Sequence, residues 1–391
     1  MATYCYAPQV GDPLSALDTP SMLVDLSQME SNIATLMDTL LPSGVLVRPH
    51  LKTTKCAALA ARLAAVGATG ACVAKLSEAE VLCAKGCDDL LITCVIVGAV
   101  KVQRLVELVR RHRRVRIVVD DAGAASAIDA ALGRAGFLAG KGADGGGGRG
   151  GDDDAALLTL VDVDVGLHRT GVQPGAEARK LARHVAGLQY LRLIGVQGYE
   201  GHVQHVHGAE ARSAMCRASM ALLTRTADEL RADGHAIDVV TAGGTGTAEV
   251  CAAVAGVTEV QPGSFLFMDT DYRNAIGEAK YKSSLTILST VLSAQGPRTV
   301  TIDAGLKSLT TDSGLAETKI KGYMYGVLGD EHGSLTWEEE EEERLRLKVG
   351  DRVEMVPSHI DPTINLHDVY YAHRDGVVEE IWTVDARGKV Q

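Results

Sequence analysis

Residues 237–250 read Ile-Asp-Val-Val-Thr-Ala-Gly-Gly-Thr-Gly-Thr-Ala-Glu-Val. An apolar, β-rich run (237–242) enters a turn of small residues, and a helical pattern follows. The same unit recurs along the chain. Apolar runs stand at 45–50, 70–75, 89–94, 116–121, 157–165, 191–198, 237–242 and 257–261, preceded by one more at 21–26 (SMLVDL). Helical patterns lie between them at 54–66, 77–86, 100–112, 122–135, 176–187 and 208–233. Ser27 with Glu30 and Ser77 with Glu80 fit the capping box, in which hydroxyl and carboxylate satisfy free amides at a helix start. Eight continuous apolar strands, each followed by a helix, predict an α/β fold, a (β/α)8 TIM-type barrel, with an open doubly wound sheet as the structural alternative.

After about residue 280 the helical period disappears. Runs at 284–294, 298–305, 351–358 and 370–388 alternate with turns and predict a mostly antiparallel β domain. The expected division is a barrel over 20–278 and a β domain formed by 1–19 and 279–391.

The chain has 391 residues, 46% hydrophobic and 23% charged, with a formal net charge of −11. That balance suits a globular protein and argues against gripping nucleic acid or an anionic membrane by bulk positive charge. Nine of the 50 acidic residues sit in Asp152–Asp154 and Glu338–Glu343, so the acidity says little about a substrate. The first of these runs follows a glycine-rich stretch, 140–151, read as a flexible loop, and both read as surface insertions. No apolar run approaches the ~20 residues of a membrane-spanning helix. The start lacks the basic and apolar regions of a secretory signal, so a cytoplasmic location is expected. None of the eight cysteines forms C-x-x-C, and they read as small buried hydrophobes in a reducing compartment.

Five motifs carry candidate chemistry. Arg48-Pro49-His50-Leu51-Lys52-Thr53-Thr54-Lys55 stands at the carboxyl end of the first barrel strand, where barrel enzymes place reacting groups. Either Lys52 or Lys55 is a candidate for Schiff-base chemistry, against the plain reading of a surface lysine. Arg169 follows the fifth strand and suits an anion, or a structural ion pair. Gln197, Tyr199, Glu200 and His202 follow the sixth; His205 and His207 add imidazoles, and such a loop can bind metal. Gly243, Gly244 and Thr245 follow the seventh, where small residues let backbone amides approach a phosphate, and Ser264 after the eighth completes such a cup. His359 and Asp361 share a face if the chain there is extended, and suit a divalent cation that keeps water ligands. Asn365, His367 and Asp368 lie close behind them as candidate supporting groups.

In this order, and beginning at Asp18-Thr19-Pro20-Ser21, these motifs resemble the fold-type III pyridoxal-phosphate enzymes with an alanine-racemase-like barrel. The likeness is to the D-threonine aldolase and D-serine dehydratase branch, and it runs to Tyr370-Tyr371-Ala372. The resemblance implies that Lys52 carries the cofactor as a Schiff base, that Gly243, Gly244, Thr245 and Ser264 hold its phosphate, and that Arg169, Gln197 and Tyr199 contact its ring. It further implies a divalent metal (Mn²⁺, Mg²⁺ or Co²⁺) at His359 and Asp361 beside the cofactor, and a homodimer. Dehydratases of the branch resemble H-x-C at the metal site and the aldolases H-x-D; position 361 is Asp. A carboxylate in place of a thiolate favours harder ions. The expected activity is therefore retro-aldol cleavage of D-threonine and related D-β-hydroxy-α-amino acids to glycine and an aldehyde, a lyase reaction. His50 or His202 is a candidate base for the hydroxyl proton, as is metal-bound hydroxide. Three alternatives stand beside it: a metal-dependent D-serine dehydratase, a non-catalytic pyridoxal-phosphate carrier, and a cofactor-free metal hydrolase.

Overall fold

The computed structural model describes residues 6–139, 156–338 and 346–391. The glycine-rich stretch, Asp152–Asp154 and Glu339–Glu343 lie outside the described residues, as does Cys5. Contacts divide the chain into two compact units: the residues up to Leu36 with Ser264–Gly388, and Met37–Gly263 with Lys389–Gln391. The sequence places these divisions at 20 and 278.

The first strand, β1 (Ser21–Asp25), lies in the antiparallel unit, not in the barrel-bearing stretch to which its pattern assigned it. A short run buried at four of five positions suits the centre of either kind of sheet, and its partners lie far along the chain.

The unit Met37–Gly263 contains β2 (Leu46–Val47), β3 (Ala71–Val73), β4 (Leu90–Ile92), β5 (Arg116–Val119), β6 (Leu157–Asp162), β7 (Leu191–Gln197), β8 (Val239–Ala242) and β9 (Glu259–Val260). All neighbours are parallel, in the order β2-β9-β8-β7-β6-β5-β4-β3. A parallel bridge between His50 and Cys72 joins the two ends, with Leu51 N–H donating to Cys72 O and Cys72 N–H to Pro49 O, both at 2.8 Å. The ring of eight expected strands is thus closed. Cys72, Leu91, Val118, Leu160 and Ile194, one from each of β3 to β7, form a continuous apolar layer. The helices between strands are amphipathic. Ala176–Ala186, for example, buries Ala178, Leu181, Ala182 and Val185, spaced by three or four residues so that they share one face.

Charge is also buried in this unit. Arg48 is 0% exposed; its Nε donates to Glu259 (2.8 Å) and its Nη1 to Asp89 (2.7 Å), which also receives Arg114 (2.6 Å). These residues stand at β2, at the start of β9 and just before β4. Gly70 is required beside them, since a Cβ there would lie 2.3 Å from Arg48 Nη1.

The helix caps differ from the expected boxes. In the helix Leu26–Leu40 the cap is Asp25, whose carboxylate accepts Gln28 N–H (3.0 Å), while Ser27 and Glu30 bond to Arg374. In the helix Leu76–Ala84, Glu78 accepts Ala74 and Lys75 N–H (2.8 and 2.9 Å). Ser77 instead donates to Gln391 O (2.7 Å), and Glu80 receives Arg104 (2.8 Å). Each true cap lies two residues upstream, because the capping hydroxyls found tertiary partners.

The other unit holds β1 with β10 (Leu285–Ser293), β11 (Thr299–Ile302), β12 (Glu317–Thr318), β13 (Met324–Val327), β14 (Gly333–Thr336), β15 (Arg352–Val356), β16 (Val369–Arg374) and β17 (Val377–Thr383). The path is β13-β14-β11-β10-β1-β16-β17, with β15 on β10 and β12 on β15. Every pair is antiparallel except β1 with β16, as expected of a mostly antiparallel domain. The described part of the N-terminal segment joins it: Gly11 N–H donates to Val378 O and Leu14 N–H to Gly376 O. Leu17, Leu23, Leu288 and Val378 pack beneath. A short helix, Ile360–Ile364, interrupts the stretch after 280 read as lacking helical pattern, and the helix Thr270–Ile276, within the bounds expected of the barrel, lies in this unit instead.

Candidate active site

In the barrel unit the polar side chains gather after the carboxyl ends of the strands. Past β2, the turn 51–54 presents Lys52 in an exposed position. Its N–H donates to His50 Nδ1 (3.3 Å), which leaves the ring proton on Nε2, 3.0 Å from Thr93 Oγ1. Lys55 is buried and its ammonium pairs with Glu78 at 3.2 Å. Gly263 lets the turn pack closely: a Cβ there would lie 2.9 Å from His50 O and 3.0 Å from Thr53 Oγ1. Among the described residues that hydroxyl has no hydrogen-bond partner, and it is buried.

A chain of hydrogen bonds links five strand ends, those of β4, β6, β7, β8 and β9. Gln197, at the end of β7, donates to Thr93 O (3.2 Å) and Asp162 Oδ1 (2.9 Å) and accepts from Gln261 (3.3 Å). Gln261 also donates to Thr241 Oγ1 (2.8 Å), and Thr170 to Asp162 Oδ2 (2.8 Å). Burial pushes the Asp162 carboxyl up to about 6, against the lowering effect of the Gln197 and Thr170 hydrogen bonds.

The loop after β6 is tied down by Asp164. Its carboxylate accepts Gly166 N–H (3.0 Å), His168 N–H (3.0 Å), His168 Nδ1 (2.7 Å) and Gln173 Nε2 (3.2 Å). Partial burial would raise this carboxyl, but the hydrogen bonds prevail and hold it near 2. The loop presents Arg169 with its guanidinium 5.6 Å from the centre of the Tyr199 ring. A pocket is lined by Asp162, Leu167, Arg169, Thr170, Gln197 and Tyr199. Exposed His202 packs against the same loop, its ring within 3.1 Å of the point a Cβ on Gly166 would occupy.

The turn after β8 holds Gly243, Gly244 and Thr245, all buried. Gly243 has φ +79, a backbone shape that suits glycine, and a Cβ on Gly244 would lie 2.6 Å from Gln204 Oε1. Ser264, the remaining expected phosphate ligand, is the first residue of the other unit; it is buried and its carbonyl accepts Met268 N–H (2.7 Å).

In the β unit His359 is the N-cap of the helix Ile360–Ile364, and Asp361 lies in that helix's first turn. The pair is therefore not carried on an extended chain as the spacing suggested; the chain changes conformation between the two residues. His359 Nδ1 bonds to Asp312 (2.5 Å), which leaves Nε2 as the free coordination position. Behind them Asp269 accepts Tyr272 N–H (2.8 Å) and Ile360 N–H (3.0 Å), and burial pushes its carboxyl up to about 6. The groups expected to support the pair are engaged elsewhere: His367 with Ser308 O, Asn365 with Gly388 N–H and Asp368 with Arg387. Among the described residues, His202, His205 and His207 belong to no group of three close ligand atoms.

The chain belongs to the alanine racemase N-terminal domain family, whose model matches residues 24–271; a putative serine dehydratase domain matches 284–373. It is 38% identical to a D-threonine aldolase of Arthrobacter sp. over 97% of this chain and 95% of that relative. It is 32% identical to a 3-hydroxy-D-aspartate aldolase of Paracoccus denitrificans over 96% and 93%. The solved D-threonine aldolase of Filomicrobium marinum superposes with a TM-score of 0.89 at 34% identity, covering 98% of this chain and all of that one.

Asp162 and Asp312 escaped the sequence reading, and Gln261, read there only as part of the stretch 261–264 that completes a phosphate cup, instead bonds Gln197 and Thr241. Asp162 did leave a signal, a carboxylate inside the otherwise apolar run 157–165. Asp312 left none, being 47 residues from its histidine.

Proposed function

We propose that the protein is a D-threonine aldolase that uses pyridoxal 5′-phosphate and a divalent metal to cleave D-threonine and related D-β-hydroxy-α-amino acids to glycine and an aldehyde. The observation that carries this reading is full-length similarity to such an aldolase together with carboxylate, not thiol, at position 361. The barrel residues fit the cofactor: an exposed lysine beside an orphaned buried hydroxyl, an arginine over a tyrosine ring, and a turn built from glycines with no room for side chains. When bound, the cofactor supplies an electron sink for the pair left at Cα.

Lys52 is the attachment point, held at the turn by its own amide on His50. Arg169, Gln197 and Tyr199 orient the ring, and Thr245 and Ser264 are the phosphate ligands on the turn that Gly243 and Gly244 shape, the amides of those two glycines being engaged by Glu200 and Thr247. Of the two candidate bases for the substrate hydroxyl proton, His202 is exposed beside the loop that carries Arg169, whereas both ring nitrogens of His50 already serve Lys52 and Thr93. His359 Nε2 and an Asp361 oxygen are the metal ligands, and Asp312 orients the imidazole as a carboxylate does behind metal-bound histidines. An imidazole and a carboxylate with remaining water ligands suit Mn²⁺, Mg²⁺ or Co²⁺, which would supply Lewis-acid charge that eases loss of a hydroxyl proton. A homodimer, supported by the family resemblance, and a cytoplasmic location are part of this reading; no described helix is long and apolar enough to cross a membrane.

The deciding experiment incubates the protein with D-threonine and with D-serine, with and without Mn²⁺. Glycine and acetaldehyde from D-threonine are expected. A 2-oxo acid with no glycine would overturn the aldolase in favour of the dehydratase, and no product would leave the carrier.

A further inference from the structure

Glu200 follows Tyr199 directly and has no role in the reading above, yet it is fully buried beneath the glycine turn. Its Oε1 accepts Thr247 Oγ1 (2.5 Å) and Gln204 Nε2 (3.0 Å), and its Oε2 accepts Gly243 N–H (3.2 Å). The two side-chain donors in turn hold the rest of the loop. Thr247 Oγ1 accepts Gly244 N–H (3.1 Å), and Gln204 Oε1 accepts Gly246 N–H (3.0 Å). Three amides of a five-residue turn are thus fixed by one web of side chains, and each link traces back to the Glu200 carboxyl. The fit is close: a Cβ on Gly246 would lie 2.5 Å from Gln204 O. Cys216 and Cys251 also bring their sulfurs near this carboxyl, within the spacing of a metal site, but its oxygens already accept the three donors, the Cys251 thiol adds a longer bond to Oε1 (3.7 Å), and the two sulfurs meet at 3.4 Å.

We propose that Glu200 is a positioning residue for the cofactor's phosphate: it shapes the 243–247 turn and so sets affinity for the phosphate ester without touching it. The inference rests on the pyridoxal-phosphate reading of the barrel, so its test separates the phosphate from the rest of the ligand. Apo-protein is titrated with pyridoxal 5′-phosphate and with pyridoxal, for the wild type and for Glu200→Gln. The amide keeps the shape but turns an NH2 toward donors that need an acceptor. The expected result is a Kd for pyridoxal phosphate raised roughly tenfold or more, as befits a lost buried acceptor, with the Kd for pyridoxal nearly unchanged. Thr247→Val, which removes the hydroxyl at constant shape, should show the same phosphate-selective loss and serves if Glu200→Gln does not fold. Equal weakening of both ligands would reduce Glu200 to a structural role and overturn the proposal, as would no change in either. If the wild type itself fails to prefer the phosphorylated ligand, the cofactor reading falls first.

Discussion

Asp162 shows how one residue can join stability to pH. Its carboxyl is raised from an ordinary 3.8 to about 6 by burial, so the folded state holds the proton more tightly than the unfolded state between those values. The group's contribution therefore favours folding at low pH and is lost as pH rises from about 4 to 6, by about 3 kcal/mol at most. Asp162→Asn should gain stability relative to the wild type across that window and run parallel to it above. Denaturant titrations at a series of pH values would show this, and a constant offset throughout would contradict it. Lys52 and Lys55 make a second pair of opposites. Borohydride reduction should fix the cofactor on Lys52 in the wild type and in Lys55→Met, whereas Lys52→Ala should lose both the covalent link and the visible absorbance; peptide mapping reads the outcome.

At the scale of elements, the buried Arg48 cluster joins β2, β9 and the segment before β4. Removing one partner leaves a buried charge uncompensated, which typically costs about 3–5 kcal/mol. Glu259→Ala should therefore lower stability by that order, measured by thermal or denaturant unfolding, while exposed Lys180→Ala should change it little, since its pair with Glu177 is solvated. The elements were also where the sequence was most legible. All eight barrel strands stand where the apolar runs place them, because a strand covered on both faces must be apolar along its length. The failures were of partnership. Nothing local reveals that Ser77 bonds Gln391, that β1 pairs with β10, or that Asp312 meets His359. The motif residues after the strands were legible for the same reason the strands were, while the groups that hold them, Asp162, Gln261 and Gln204, act through contacts distant in sequence.

For the molecule as a whole, the lysine and the two metal-ligand candidates belong to different compact units. EDTA should accordingly abolish cleavage of D-threonine while most cofactor stays bound, followed by absorbance after gel filtration; added Mn²⁺ should restore turnover. Full activity in excess EDTA would remove the metal from the reaction. The same molecule also separates what holds it together from what it does. Lys52, Thr93, Arg169, Gln197, Thr241 and Gln261 each lie at or just past the carboxyl end of a different strand, and none of them belongs to the apolar layer or to the Arg48 cluster. In evolutionary terms, descent can rewrite one strand-end loop at a time on an unaltered ring, so lineages that part carbon from carbon and lineages that expel water can diverge by small, separable steps.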